Sequence, residues 1–495
     1  MSKGIVRSGL ALGLMIGLSL AMGLATTARA GVQAQQKPAY SYAEYNAYQA
    51  AVRETNPQQR TKLLDDFVSK FPKSTLLPYV YQAYYQTYEH LKQYDKVIEY
   101  ADKLISSDAK EVDSGMKLQA DYAREVAFNY AFDPKAPNAT EQAKAARDDA
   151  TLGLKLLGEL VKPKGMTDAQ FAAQKTGPSA LFSYTAGYAS LILKDYPAAE
   201  KGFHDALVTD PTNPGNSVTY FRLGVAYLQQ AAQEQAAAPA TPAATPPAQT
   251  PAATAPGSTA AQPAAAGAAA PAQLAPLPGP SAGQENFIKG FWALARSIAL
   301  KGSTQQQVQS YLQNQMLAYQ KTACQPLLTA EMNQLLQSAQ TTQTIDPPAG
   351  YTLPSGVQLG DYLQGSNLFT IMEDLQAGGD RAQFVWLAVC GNEFPMVPIK
   401  VISVTPSATG VDMQVYAGST PKDLEQATTA NMEVQVPNQP DAQRLQKDNI
   451  VRFTGTLSSY DPPPSFLLHW TNAQVNPADI PPAKPAGRKR PAGRK

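Results

Sequence analysis

Residues 180–211 read ALFSYTAGYASLILKDYPAAEKGFHDALVTDP, and their pattern decides the architecture of the chain. They predict two short amphipathic helices joined at Lys194-Asp195-Tyr196. In the first, Gly187 has no side chain, so another helix can approach closely there. Tyr196 is placed to fill the corner. Ala199, Phe203 and Ala206 recur at intervals of four and three, which sets them on one face of the second helix. Asp210-Pro211 ends the pair, because proline cannot continue a helix. Small residues alternating with aromatic ones let two helices interlock and leave an apolar edge for the next pair.

This pattern resembles the tetratricopeptide repeat (TPR), whose period is about 34 residues. Pro78 to Asp108 resembles it again, with Tyr94 in the corner and Val97, Ala101 and Leu104 on the packing face. There Tyr85 stands where a small residue is expected, so this pair should be spaced more widely. Pro38 to Pro72 holds another helical pair, and Ser114 to Val161 a longer hairpin that matches less closely. A short separate helix is expected around Thr167 to Ala173. The resemblance implies a mainly α fold, a TPR-type helical-hairpin array, whose task is to hold other proteins. In such arrays the first helices of successive repeats line a concave groove. Carried over, that groove is lined by Gln82, Gln86, Tyr184, Tyr188, Phe221 and Arg222. It would grip an extended or helical peptide segment by stacking and apolar contact, with Arg222 as anchor. The lysine and asparagine set with which some TPR proteins clamp a C-terminal carboxylate is absent.

After Pro211, Tyr220, Leu223, Gly224 and Tyr227 fall at the spacing of a repeat's first helix, but no second helix follows directly. Instead, Gln235 to Gln284 has no charge and no aromatic residue. Such a stretch cannot bury enough surface to offset its conformational entropy and is expected to be disordered. It reads as an insertion and not as a linker. The helix predicted over Asn286 to Leu300, with Phe287, Phe291, Leu294 and Ile298 on one face, supplies the missing partner. Loop closure cost grows only logarithmically, so the excursion is tolerable. Helices over Thr304 to Tyr319 and Pro326 to Ser338 then close an array spanning residues 31–340.

Residues 341–397 read as a connecting segment, with a helix near Leu359 to Leu375 and an apolar run from Phe384 to Val389. From Pro398 the periodicity becomes two. Five strands are predicted: Ile399–Thr405, Val411–Ala417, Met432–Val436, Ile450–Leu457 and Phe466–Val475. They suggest a small all-β barrel over 398–476, and residues 449–475 resemble the closing strands of an OB-like fold. Residues 477–495 form a basic, proline-broken tail expected to be disordered.

The chain of 495 residues has a formal net charge of +1, which gives no global reason to expect nucleic acid or an anionic membrane as partner. Lys3 and Arg7, the uncharged run Ser8 to Leu24 and Ala28-Arg29-Ala30 read as a Sec-type signal peptide over 1–30. The mature chain is expected to start at Gly31 and to be exported, to the periplasm or beyond. An uncleaved anchor is the alternative, since about 17 apolar residues is the lower limit for a span. In an oxidising compartment Cys324 and Cys390 could pair, and two buried free thiols are the other possibility.

Nothing points to catalysis. His90, His204 and His469 lie on separate elements, without the spacing that puts two metal ligands on one helical face. Gly279 to Gly283 matches G-x-S-x-G but lacks the preceding strand a nucleophile elbow needs. No metal, cofactor or enzymatic activity is expected. The sequence therefore reads as an exported scaffold or adaptor with protein partners in the cell envelope. The alternative is a module whose OB-like domain recognises an oligonucleotide, oligosaccharide or peptidoglycan strand, with Phe453, Tyr460 and Trp470 as stacking platforms.

Overall fold

A computed structural model describes residues 40–238 and 274–483. The expected signal segment, the centre of the Ala/Pro tract and the end of the basic tail lie outside them. The chain is mainly helical, with a small C-terminal five-stranded barrel. It divides into two compact units. Among the described residues, the first takes 40–237, 285–313 and 335–351, and the second takes 314–334 and the described parts of 238–284 and 352–495.

The first unit begins with α1 (Tyr42–Arg53), α2 (Pro57–Lys70), α3 (Leu77–His90), α4 (Tyr94–Ile105), α5 (Ser114–Ala131) and α6 (Ala139–Glu159). There follow α7 (Asp168–Ile192), α8 (Tyr196–Thr209), α9 (Asn216–Ala237) and α10 (Gln284–Ala299). Local chemistry sets many of the starts. The Ser41 side chain accepts from Glu44 N while Glu44 reaches back to Ser41 N, and Asn56 caps α2 just before Pro57. From α1 to α9 each helix packs on the next, and α3 meets α5, α5 meets α7, and α7 meets α9.

The central pair turns at Lys194-Asp195, as the sequence suggests, and Tyr196, Ala199, Phe203 and Ala206 are all buried. Its first helix is longer than expected. The predicted separate helix near Thr167 is the first turns of α7, which continues through Pro178. The carbonyl of Gln174 loses its partner there, but Gln174 is exposed and water can satisfy it. A capping box of Thr167 and Gln170 fixes the start. At the crossing, a Cβ on Gly187 would lie 2.9 Å from the backbone N of Phe203, and one on Gly202 2.5 Å from the N of Gly187. Two glycines, not one, make this approach possible.

The second close crossing joins α9 to α10 across the Ala/Pro tract. A Cβ on Gly224 would meet Leu294 Cγ at 2.9 Å and the Gly290 carbonyl at 3.0 Å. Ser297 Oγ donates to the Ser217 carbonyl at 2.6 Å, and Asn286 Nδ2 to Glu234 Oε1 at 2.9 Å. The helix after the tract thus packs on the helix before it. The ends of the tract are not structureless as expected. α9 runs to Ala237, and from Leu274 the chain is held by side chains of the second unit, where Gln358 donates to the carbonyls of Pro278 and Gly279 and Arg381 to that of Ala275. Tyr85, the oversized residue of the second pair, is accommodated by Ala120, Ala123 and Ala127 of α5.

α11 (Gln305–Gln320) and α12 (Gln325–Thr341) each contain a boundary between the units. Residues 341–397 are more than a connector. α13 (Gly356–Gly365), α14 (Leu368–Ala377) and α15 (Gly379–Val389) share one apolar core with the barrel. The helix expected over Leu359 to Leu375 is broken at Ser366-Asn367, where Asn367 caps α14. Cys324 and Cys390 form a disulfide within this unit, Cα to Cα 5.3 Å, flanked by the Thr322 hydroxyl donating to the Leu387 carbonyl.

The barrel strands are β1 (Glu393–Pro406), β2 (Val411–Tyr416), β3 (Met432–Val436), β4 (Ile450–Asp461) and β5 (Leu467–Val475). They close in the order β1-β2-β3-β5-β4, with β3 parallel to β5 and every other pairing antiparallel. This small barrel fits the OB-like expectation. Closure falls to β1, which begins six residues earlier than predicted, pairs with β4 up to Lys400, and from Lys400 pairs with β2. A register shift between Val401 and Ser403 bends it from one sheet edge to the other. A short helix, α16 (Pro421–Gln426), interrupts the β2–β3 connection; buried Lys400 donates to the carbonyls of Glu425 and Ala427 and pairs with Asp448.

Three stability outcomes follow from these contacts. Gly224→Leu should lower stability by ~1–3 kcal/mol in urea unfolding, because the added side chain is forced into Leu294 and the Gly290 backbone. Gly360→Ala, in α13 with open space around it, should instead raise stability by about 0.4–1 kcal/mol. Reducing the Cys324–Cys390 bridge, which closes a sequence separation of 66, should cost the second unit ~4 kcal/mol on the chain-entropy estimate.

Candidate functional site

The residues expected to line a groove are divided by the structure. Gln82 is half-buried and donates to Gln119 of α5, while Gln86 is exposed. Phe221 is half-buried with its ring edge-on to Tyr311 at 6.1 Å. Tyr184, Tyr188 and Arg222 do come together, but inside the helical packing. The Arg222 guanidinium lies 3.4 Å from the centre of the Tyr188 ring and 5.0 Å from that of Tyr184. Phe128 of α5 and Phe132 just after it also pack on the Tyr188 ring, at 6.2 and 5.6 Å. The three are therefore a packed cation–π stack and not an open anchor. The reason is geometric: alternate helices of the first unit meet directly, and aromatic residues on their facing sides fill the gap. Burial pushes the Tyr184 phenol up to about 12, against the pull of Arg222.

An open cleft lies elsewhere in the same unit. Leu207 and Val208 at the end of α8, Asn216 and Tyr220 at the start of α9, and Arg296 and Leu300 at the end of α10 form its walls. The strap formed by Thr342–Ala349 completes its lining, and the cleft has a volume of about 670 Å³. The strap is fixed by the Trp292 indole N–H donating to the Thr344 carbonyl at 3.3 Å and by Ile345, which packs on the core around Phe203 and Leu223. Arg296 is only 7% exposed. Its Nη1 donates to the Ala339 carbonyl, its guanidinium stands 5.4 Å from the Tyr220 ring centre, and its Nε has no partner. Among the described residues no carboxylate forms an ion pair with it. Asp346 shares the cleft but is exposed and faces His204 Nε2 at 3.9 Å. Sequence reasoning missed Arg296. Its position four residues after buried Trp292, between buried Leu294 and Ile298, puts a cation on the inner face of α10, and that signal was readable.

A second group of buried charges sits among α4, α5 and α6. Arg124 contacts Asp102 at 2.7 Å, Glu125 at 2.9 Å and Asp149 at 2.8 Å. Asp121, one turn earlier on α5, is fully buried with neither carboxylate oxygen hydrogen-bonded. Asn129 donates to the Glu125 carbonyl and to Thr185 of α7. Burial pushes the Asp121 carboxyl from 3.8 up to about 8, with Asp149 adding to the rise and Arg124 opposing it. Burial likewise holds Glu125 well above the usual carboxylate range.

On the barrel, two of the three expected stacking platforms are buried and the third, Tyr460, is half-buried. Phe453 and Trp470 are core residues packed edge to face at 5.3 Å, and Tyr460 packs on Trp386 and Phe466. On the surface, His469 lies between two carboxylates, Glu433 at Nδ1 and Asp461 at Nε2, each 3.1 Å away. Exposed carboxylates there would repel a phosphate backbone. Among the described residues no three His, Cys, Asp or Glu side chains gather to hold a metal ion, and no helix is long and apolar enough to cross a membrane.

No protein-family model matches the sequence, and no curated protein matches it significantly.

The folded Asp121 carboxyl holds its proton at a pH where the unfolded one has lost it. Its contribution to stability is therefore complete below pH 3.8 and is lost as the pH rises toward about 8. Urea unfolding should show stability falling across that range, and Asp121→Asn should flatten the profile.

Proposed function

We propose that this chain is an exported, non-enzymatic interaction scaffold: a TPR-type helical array, followed by an OB-like barrel, that binds a segment of a protein partner in the cell envelope. The observation that carries this reading is the cleft at α8, α9 and α10. Regular helical pairs with glycine crossings build a rigid wall, and at its end a shaped cavity presents apolar side chains beside a buried, unbalanced guanidinium. Rigid elements carrying a concave, partly apolar surface with one polar anchor are the usual form of a recognition site. The originally expected groove face is less suited, because its tyrosines and Arg222 are already used in packing. On the barrel, Phe453 and Trp470 are interior and the His469 face is acidic, which favours the helical array as the binding part.

Export is tested by the N-terminus of the chain recovered from the producing cell's envelope, which should begin at Gly31. The scaffold role is tested in the intact exported chain with a photo-cross-linking residue at Val208, on the cleft rim, and at Val161, which is exposed elsewhere. Discrete, reproducible envelope adducts are expected from position 208 and not from 161. Equal patterns from both positions, or none from 208, would refute it.

A further inference from the structure

Arg296 cannot shed its proton, so its charge is permanent. Burying such a charge is unfavourable unless a counter-charge meets it. Arg124 shows the usual solution, with three carboxylates around one guanidinium. Arg296 has a ring face and a backbone carbonyl instead, yet it lines a cavity, whereas Arg222, also without a carboxylate, is sealed by Tyr184 and Tyr188. Resting on the scaffold reading, we propose that the cleft is a receptor for one acidic side chain, carried between apolar residues of a partner peptide.

Three features select that occupant. The guanidinium lies deep, so a slim side chain on methylene groups reaches it more readily than a main-chain terminus, which must bring its backbone along. The rim is apolar: Val208 is 59% exposed and Leu300 43% exposed, and flanking apolar residues of the peptide would cover them. Asp346, also lining the cleft, repels a second negative charge, so a single acid between apolar neighbours fits better than an acidic run. The carboxylate would complete the charge-assisted hydrogen bonding of Arg296 and be held over Tyr220.

The test uses the full exported chain and a fluorescent peptide pool, acetyl-Gly-Ser-Z-Glu-Z-Ser-Gly-amide, in which Z is an equal mixture of Leu, Val and Phe. A twin pool carries Gln in place of Glu. The Glu pool should bind about 10-fold or more tightly, the discrimination expected of a charged hydrogen bond. Arg296→Gln should erase the preference. Should that variant fold poorly, Val208→Glu at the exposed rim should weaken the Glu pool several-fold more than the Gln pool, because only the Glu pool meets a like charge there. Equal binding of the two pools overturns the proposal, and so does no binding of either. A Gln pool with a free C-terminal carboxylate that binds more tightly than the Glu pool would assign the cleft to a chain terminus instead. In each of these cases, cross-links from position 208 would leave the scaffold reading standing.

Discussion

Backbone touching backbone at two glycine pairs governs the spacing of the helices. Gly187 meets the Ala199–Phe203 turn and Gly202 meets Gly187, while Gly224 and Gly290 face one another across α9 and α10. A methyl group on Gly187 or Gly202 would run into backbone, so there the axes would have to separate. The residues packed around the crossings, Phe203, Leu223 and Leu294, are fully buried and make their contacts only at that separation. Where the pattern departs from small residues, as at Tyr85, the neighbouring helix answers with three alanines, so complementarity survives with the sizes exchanged.

The same close packing explains the treatment of charge. Ridges that fit tightly leave little water inside, so any ionisable side chain on an inner face must be answered by protein. Around Arg124 the answer is an excess of carboxylates, and burial raises the pKa of Asp121 and Glu125 among them. At Arg222 the answer is aromatic faces. The second unit places one cation in a comparable setting, Lys400, and uses it to satisfy the last carbonyls of a short helix while closing the barrel.

Much of the architecture was legible because period and punctuation agree locally. The helical pairs, the partner helix beyond the Ala/Pro tract and the five strands all rest on residues whose spacing and turn chemistry point the same way. The misses have distinct causes. α7 runs through Pro178 because its lost hydrogen bond falls on an exposed turn, which no propensity rule reveals. The core shared by α13, α14, α15 and the barrel depends on contacts far apart in sequence, so the segment looked like a connector. α16 was readable: Thr420 and Asp423 form a capping box beside Pro421, but six residues between strands resemble a loop. The candidate site was legible least of all. A family-level groove predicts which helices face inward, not which gaps neighbouring aromatics will fill, and so Tyr184, Tyr188 and Arg222 were assigned to an open surface. The pairing of Cys324 with Cys390 required coordinates, because two cysteines in one chain do not reveal their distance.

The two compact units are interleaved along the chain, each assembled from three separate stretches, and the disulfide loop of the second encloses residues 335–351 of the first. No single cut releases either one whole. During synthesis, α9 emerges before the helix that covers its apolar face, and that helix follows only from Gln284 onward. The first unit therefore stays unfinished until most of the polypeptide has been delivered, so premature termination or a nick in the later half strikes at the earlier half as well.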